Sequence, residues 1–339
     1  MKRALELAER GKGSVAPNPM VGCVIVHQNK IIGEGWHRQY GMEHAEVNAI
    51  NSVENKMLLP HSSLYVTLEP CSHFGKTPPC ADLIIEHKIP KVIIATNDPN
   101  PLVEGQGINK LQDNNVKVRT GILETESRFM NRRFFTFFEK KRPHIILKWA
   151  QTADGFMDRE RPSGEKGSFQ ISSEESSRTV HRWRTEEAGI LVGKNTVMTD
   201  NPLLTVRKWP GKNPVRIMID PNLEVSKYSH ILDGSARTII FNRLETRTIF
   251  NNQFVQLDFS KDILPDILMY LHYEGIQSVM VEGGAETLKR FIENGTWDEA
   301  RIIRSDMILE QGLRAPTIPA GESVLSKIGK DQLIEIFNF

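Results

Sequence analysis

Three cysteines in 339 residues are too few for a disulfide framework, and a reducing cytoplasm is the expected setting. An excess of one charge is missing too. The 43 Lys and Arg residues face 42 Asp and Glu, a formal net charge of +1, which leaves no electrostatic footprint for nucleic acid. No run approaches the ~20 apolar residues that span a bilayer. The opening stretch from Met1 to Arg10 alternates charged and apolar groups at helical spacing, which is not the build of a signal peptide. Internal repeats and low-complexity segments are absent. What remains is an ordinary globular composition, 39% hydrophobic and 25% charged. On a soft prior of roughly 150 residues per domain, its length suggests two domains. Small-molecule chemistry is expected, with neither nucleic acid nor membrane as partner.

The first part alternates helices and strands. Residues 2–10 predict a helix closed by Gly11, and two strands, 22–26 and 31–36, flank a hairpin turn at Gln28-Asn29-Lys30. Short apolar runs at 64–68 and 92–95 have buried-strand character, with helices near 44–51, 80–88 and 105–114. A sheet with helices on both faces follows. The stretch from Arg128 to Arg142 predicts a last helix and a connector, its phenylalanines packing inward rather than stacking on bases. A second α/β unit opens with the strand 144–150. Further strands fit 188–192, 215–219, 237–241, 278–281 and 300–305, with helices near 172–184, 264–273 and 285–294. The domains are expected at 1–142 and 143–339.

The chemistry concentrates in His44-Ala45-Glu46, Pro70-Cys71 and Pro79-Cys80. One imidazole and two thiols suit a catalytic zinc, which takes three protein ligands and leaves a position open for water. Zinc lowers the pKa of such water to about 7, and a glutamate that is not a ligand can carry protons. Zinc nucleobase deaminases join His-x-Glu to Pro-Cys-x-x-Cys, whereas here the cysteines enclose eight residues. Residues two apart on a helix point roughly 200° away from each other. His44 and Glu46 can therefore share a site only at a helix's first turn. Cys80, just after Pro79, also fits a helix start, so two helix ends are expected to face one metal. A closed structural site would need a fourth ligand, for which Cys23, His37 and His73 are the candidates; Cys23 lies within an apolar strand.

The segments Pro17-Asn18-Pro19, His44-Ala45-Glu46 and Thr67 to Cys80, continued by Asp98-Pro99-Asn100-Pro101 and Gly105-x-Gly107, resemble the bifunctional riboflavin-biosynthesis deaminase/reductase family. The resemblance implies a cytidine-deaminase-like three-layer domain. It also implies hydrolytic deamination of a diaminopyrimidinone carrying a ribosylamino 5′-phosphate. His44, Cys71 and Cys80 would hold one zinc and Glu46 would shuttle protons. Asn18, His37, His73 and Lys76 would contact substrate, Lys76 as a cation suited to the phosphate.

The second half resembles the family's reductase, similar in fold to dihydrofolate reductase. The likeness lies in Lys148-Trp149-Ala150-x-Thr152-x-Asp154-Gly155, in Gly193 to Arg207, and in Val281-Glu282-Gly283-Gly284-Ala285-Glu286-Thr287-Leu288. It implies NADPH facing Ala150, Gln170, Thr196, Asp200, Gly284, Ala285, Glu286, Thr287 and Leu288. It also implies a sugar phosphate facing Lys148, Ser168, Arg184, Leu204, Arg207 and Glu282, with Arg184 and Arg207 as bidentate phosphate ligands and Lys148 polarising the ribose. Gln170-Ile171-Ser172 departs from the family's Trp-Ile-Thr, two extra residues surround Lys166-Gly167, and the likeness thins after Trp297. The expectation is a cytoplasmic two-step enzyme of flavin synthesis, a homo-oligomer (dimer or tetramer). The rivals are a deaminase with an inactive or differently used reductase half, a nucleic-acid base deaminase, and a zinc-stabilised scaffold without activity.

Overall fold

The computed structural model describes residues 1–72, 78–319 and 321–338. They form two compact units, Met1–Lys141 and Arg142–Phe339. The first contains α1 (Lys2–Glu9), β1 (Gly22–His27), β2 (Lys30–Trp36), α2 (Ala45–Ser52), β3 (Ser63–Leu68) and α3 (Cys80–Glu86). It continues through β4 (Lys91–Thr96), α4 (Gln106–Asp113), β5 (Lys117–Arg119), α5 (Glu124–Met130) and α6 (Arg132–Glu139).

The sheet order is β2-β1-β3-β4-β5, with β1 antiparallel to both neighbours and β3, β4 and β5 mutually parallel. The hairpin between β1 and β2 turns at Gln28 and Asn29, both at positive φ, as a tight right-twisted connection requires. Period-two alternation makes three layers. Cys23 and Ile25 of β1 join a core with Ala45, Ala49 and Ile50 of α2 and Ile84 of α3. Val24 and Val26 turn the other way, onto Ala4 and Leu7 of α1. α2 lies almost directly on β2: a Cβ at Gly35 would stand 2.3 Å from the Ala49 nitrogen. This close approach fixes where the helix start, and therefore His44 and Glu46, must be.

The single helix expected from Arg128 is instead two, α5 and α6, broken at Asn131. The Asn131 carboxamide accepts from Met20 N–H (2.8 Å) and donates to the Met20 carbonyl (2.9 Å), a long-range pair that no local pattern announces. Phe134, Phe135 and Phe137 are buried, as expected of helical aromatics, whereas Phe129 is exposed.

The second unit comprises β6 (His144–Gln151), β7 (Phe156–Asp158), α7 (Glu174–Glu186), β8 (Gly189–Gly193), α8 (Lys194–Asp200), β9 (Val215–Ile219) and β10 (Thr238–Asn242). Then follow β11 (Arg247–Ile249), β12 (Asn252–Gln256), α9 (Leu264–Tyr273), β13 (Ser278–Val281), α10 (Ala285–Glu293), β14 (Glu299–Arg304), β15 (Leu313–Arg314), β16 (Ser323–Ile328) and β17 (Asp331–Phe337). The large sheet runs β11-β12-β10-β9-β8-β13-β6-β14-β17-β16. Its middle, from β12 to β14, is parallel, and both edges are antiparallel. Both faces are covered, as parallel sheets demand. Ile145, Leu147 and Trp149 face α9 and α10, while Ile146 and Ile190 face Val180 and Trp183 of α7.

The sequence pattern does not announce α8, the short strands β7, β11, β12 and β15, or the hairpin of β16 and β17. β16 is solvent-exposed along nearly its whole length, so it carries no buried face and no alternation. Among the described residues no helix is long and apolar enough to cross a membrane.

Candidate active sites

Two helix starts meet at the first site. His44 is the N-cap residue of α2, extended at φ −71° and ψ 166°. Pro79 precedes α3 in the same region, at φ −60° and ψ 134°, its ring holding φ where the turn into the helix needs it. These two entries, with the loop after β3, deliver three donors to one point. His44 Nδ1 lies 3.6 Å from Cys71 Sγ and 3.4 Å from Cys80 Sγ, and all three donor atoms fall within 4.8 Å of one another. The Cys80 N–H donates to Cys71 Sγ (3.4 Å). Hydrogen bonding from the Cys80 thiol and then from His44 draws Cys71 well below the ordinary thiol range against its burial, and raises Cys80 in return. One imidazole with two thiols, one already favouring thiolate, fits a zinc ion.

Glu46, in the first turn of α2, is 3% exposed and stands outside this donor set. Burial lifts its carboxyl to about 7, the His44 imidazole opposing and Cys71 reinforcing the rise. Cys23, one candidate fourth ligand, sits in the apolar core. His37 is occupied otherwise: its Nδ1 faces the Glu43 carbonyl (3.0 Å) and its Nε2 faces the Asn18 amide nitrogen (3.1 Å). Nδ1 must then carry the proton, Nε2 accepts from Asn18, and the Asn18 oxygen remains an acceptor. Burial pushes the His37 pKa down, consistent with a neutral ring. His73 and Lys76 lie outside the described residues.

A cavity of about 280 Å³ opens here, with Asn18, His37, Glu46, Asp98, Asn100 and Phe134 on its lining. Asp98 is the residue that the motif reading quoted without a role. Burial raises its carboxyl to about 7, against a hydrogen bond from the Asn100 N–H. Glu69, inside the Thr67-to-Cys80 stretch, has a structural part. Its buried carboxylate accepts the backbone N–H groups of Asp98, Gly105, Gly107 and Ile108 at 3.0–3.3 Å, which ties the loop into α4 against the chain entering Pro70-Cys71. The Gly105-x-Gly107 spacing was the readable signal, since a Cβ at Gly107 would stand 1.9 Å from the Pro70 carbonyl oxygen.

In the second unit a cavity of about 580 Å³ lies at the carboxyl ends of β8, β9 and β13, where the strand order reverses and open α/β sheets take their ligands. Thr196, Gly284, Ala285, Glu286 and Thr287 line it. The remaining residues expected at the cofactor stand off this lining. Leu288 is buried in the core, leaving only its backbone to face a ligand. Ala150 packs on the core of the other face. Asp200 faces Arg161 at 3.9 Å, and burial raises its pKa. Gln170 is exposed and donates to the Ser172 carbonyl (2.7 Å), and Ser168 is exposed as well.

The residues expected at the sugar phosphate form an ionic cluster. Arg184 donates to Glu282 through Nε (3.1 Å) and Nη2 (2.8 Å), and to the Thr205 carbonyl through Nη1 (3.2 Å). Three of its five N–H donors are therefore spent within the protein. Lys148 Nζ lies 4.0 Å from Glu282. Burial alone would raise Glu282, but Arg184 and Lys148 hold it down to about 2. Burial pushes Lys148 below its ordinary value, with Glu282 opposing. Leu204 is buried at φ 54°, and Arg207 keeps most of its fork, spending Nη1 on Thr205 Oγ1 (3.1 Å). His181, missed from sequence, accepts the Arg207 N–H at Nδ1 (3.0 Å). Burial, then Arg184 and Arg207, lower its pKa to about 4, so it is neutral near pH 7.

A His/Cys/Cys donor set with a buried glutamate fits a zinc-dependent hydrolase, and a parallel-sheet unit with a switch-point cavity fits a nucleotide-dependent enzyme. Residues 1–96 match the cytidine and deoxycytidylate deaminase zinc-binding region, and residues 143–333 match the RibD C-terminal domain. The riboflavin biosynthesis protein RibD of Aquifex aeolicus (strain VF5) is 42% identical over 318 residues, 92% of this chain and 88% of that protein. The RibD of Bacillus amyloliquefaciens is 39% identical over 336 residues, 96% of this chain and 88% of that protein. Among solved structures, the diaminohydroxyphosphoribosylaminopyrimidine deaminase/5-amino-6-(5-phosphoribosylamino)uracil reductase of Thermotoga maritima superposes with TM-score 0.87 at 37% identity, covering 99% of this chain and 97% of that one. The chain belongs to the riboflavin biosynthesis protein RibD family.

Proposed function

We propose that this chain performs two consecutive steps of riboflavin biosynthesis. Residues 1–142 deaminate a diaminopyrimidinone bearing a ribosylamino 5′-phosphate, and residues 143–339 use NADPH to reduce its ribosyl group to ribityl. The observation that carries the reading is the buried Glu46 carboxyl beside the converging His44, Cys71 and Cys80 donors, on the lining of one cavity. A purely structural metal has no use for such a group.

Zinc, when bound by His44, Cys71 and Cys80, supplies the Lewis acid that makes water nucleophilic near neutrality. Glu46, with a carboxyl near 7, takes the proton from the attacking water and returns it to the leaving amino nitrogen. Asn18, held by the neutral His37, presents its oxygen to the substrate, and His73 and Lys76 are assigned to the substrate on family resemblance. In the second unit NADPH supplies the hydride, and the protein supplies orientation and electrostatics. Thr196 and the turn from Gly284 to Thr287 line the dinucleotide cavity, with phosphate at the start of α10. Ala150, Gln170, Asp200 and the Leu288 backbone complete that set by resemblance. Lys148 polarises the ribose, Glu282 and Arg184 hold Lys148 in place, and Arg207 takes the phosphate, with Leu204 and Ser168 beside it. A cytoplasmic homo-oligomer, dimer or tetramer, is the proposed working form.

Separate assays test the two halves. Ammonia release from the diaminopyrimidinone phosphate should depend on zinc, and NADPH oxidation should begin only with the deaminated product. Ammonia release without NADPH oxidation would reduce the protein to a deaminase.

A further inference from the structure

One stripe of α7 carries the loop that follows α8. Glu174, Ser177, His181 and Arg184 recur at three- and four-residue steps, which sets them on the same side of the helix. Lys208 Nζ meets Glu174 (2.9 Å) and Ser177 Oγ (3.1 Å). The Arg207 N–H donates to His181 Nδ1 (3.0 Å), and the Thr205 carbonyl accepts from Arg184 Nη1 (3.2 Å). The Asn213 carboxamide oxygen accepts the Val206 N–H between them (2.8 Å). This stretch begins at Leu204 with φ 54°, a conformation that a bulky side chain keeps only where its surroundings hold it. The main chain from Thr205 to Arg207 is therefore pinned residue by residue.

Arg207 ends that stretch at an exposed position. Its side chain gives Nη1 to Thr205 Oγ1 (3.1 Å) and pairs with no carboxylate among the described residues. Burial, then the neighbouring Arg184 cation, lower its pKa. A guanidinium placed beside a second cation, with most of its fork open, favours an anion. The ring that anchors its main chain is buried. His181 Nδ1 can accept the Arg207 N–H only without a proton of its own, so Nε2 carries the hydrogen. A protonated ring would lose that acceptor and add a third positive charge beside Arg184 and Arg207.

Resting on the reading of Arg207 as the phosphate ligand, we propose that His181 is a positioning residue for the reductase step. Its Nδ1 holds the Arg207 main chain so that the guanidinium is already aimed where the 5′-phosphate of the ribosylamino substrate docks. The unit thereby favours phosphorylated over dephosphorylated ribosyl groups, because a preset fork loses less freedom when the anion binds. His181 acts through Arg207 and makes no contact of its own with the substrate.

The test is steady-state NADPH oxidation by the full-length protein, with the deaminated ribosylaminopyrimidine supplied as its 5′-phosphate and in dephosphorylated form. His181→Leu removes the acceptor at similar volume. It should raise KM for the phosphate form about tenfold with kcat held within about twofold. For the dephosphorylated form, kcat/KM should move less than about twofold. His181→Asn, whose side-chain oxygen can reach the Nδ1 position, should recover most of the loss. His181→Gln carries its amide past that position and should lose in the same direction, which keeps the test decisive if the leucine variant does not fold. Arg207→Gln alone should lower kcat/KM for the phosphate form about 10- to 100-fold. Adding His181→Leu to it should cost nothing further, since the group it acts through is gone. Equal losses on both substrate forms, or full additivity of the two substitutions, would overturn the proposal and leave Arg207 as the phosphate ligand. A phosphate preference that survives Arg207→Gln would remove the reading beneath it, and this one with it.

Discussion

Arg184 clasps Glu282 with two parallel hydrogen bonds, Nε to Oε1 at 3.1 Å and Nη2 to Oε2 at 2.8 Å. The clasp joins α7 to the turn after β13 and holds a carboxylate beside the Lys148 ammonium. It also spends N–H groups of Arg184, which the family resemblance sets against the sugar phosphate, on contacts within the protein.

The clasp makes stability pH-dependent. Glu282 is held at about 2 in the fold, against about 4.3 for a free glutamate. Between those values the native state binds fewer protons than the unfolded chain, so the stabilisation is complete above about 4.3 and is lost as pH falls through about 2. Glu282→Gln, which leaves the buried Arg184 charge unpaired, should cost about 3–5 kcal/mol at pH 7, and the gap to wild type should narrow as the pH drops from 5 towards 2. Urea titrations followed by tryptophan fluorescence report on this unit, because four of the five tryptophans lie in it. A gap that stays constant across that range would rule out the ionised pair.

Glu46→Gln keeps the shape of the side chain and removes the proton carrier. Ammonia release should fall about 10²- to 10⁴-fold, the usual worth of a placed general acid–base group. Zinc content should be unchanged, since Glu46 is not among the three donors. Full activity in the variant would remove the shuttle from the mechanism.

Gly107→Ala drives a methyl group onto the Pro70 carbonyl, 1.9 Å from its oxygen. The loop that Glu69 anchors must shift, at a cost of about 1–3 kcal/mol. Because Pro70 leads into Cys71, zinc should also pass faster to a chelating dye. Unchanged melting temperature and zinc release would show that the loop does not brace the metal.

Stripping zinc with a chelator should abolish ammonia release yet leave dinucleotide binding intact. The second cavity is built wholly from residues beyond Arg142. Equilibrium binding of NADPH before and after chelation checks this, and loss of binding on chelation would contradict it.

Much of the fold was legible because its period is local. Cys23, Val24, Ile25 and Val26 alternate between two cores, and the central strands of the second unit announce themselves as short apolar runs between helices. The helix starts at Ala45 and Cys80 followed from the geometry that His-x-Glu imposes on a helix and from the proline before Cys80. Elements without a one-sided pattern stayed hidden. β16 is wet on both faces, and the break at Asn131 depends on a partner 111 residues away.

By itself, the sequence determined the two-part α/β plan, the soft donor set of His44, Cys71 and Cys80, and the glutamate beside it, since residue chemistry and short spacings carry that information. Only the tertiary structure decided that Glu69 gathers four backbone N–H groups, that Arg184 clasps Glu282, and that His181 takes the Arg207 N–H. Those outcomes rest on which distant groups share a desolvated space. Hydrogen bonds and ion pairs act over a few ångströms, and no spacing along the chain specifies which strangers will stand that close.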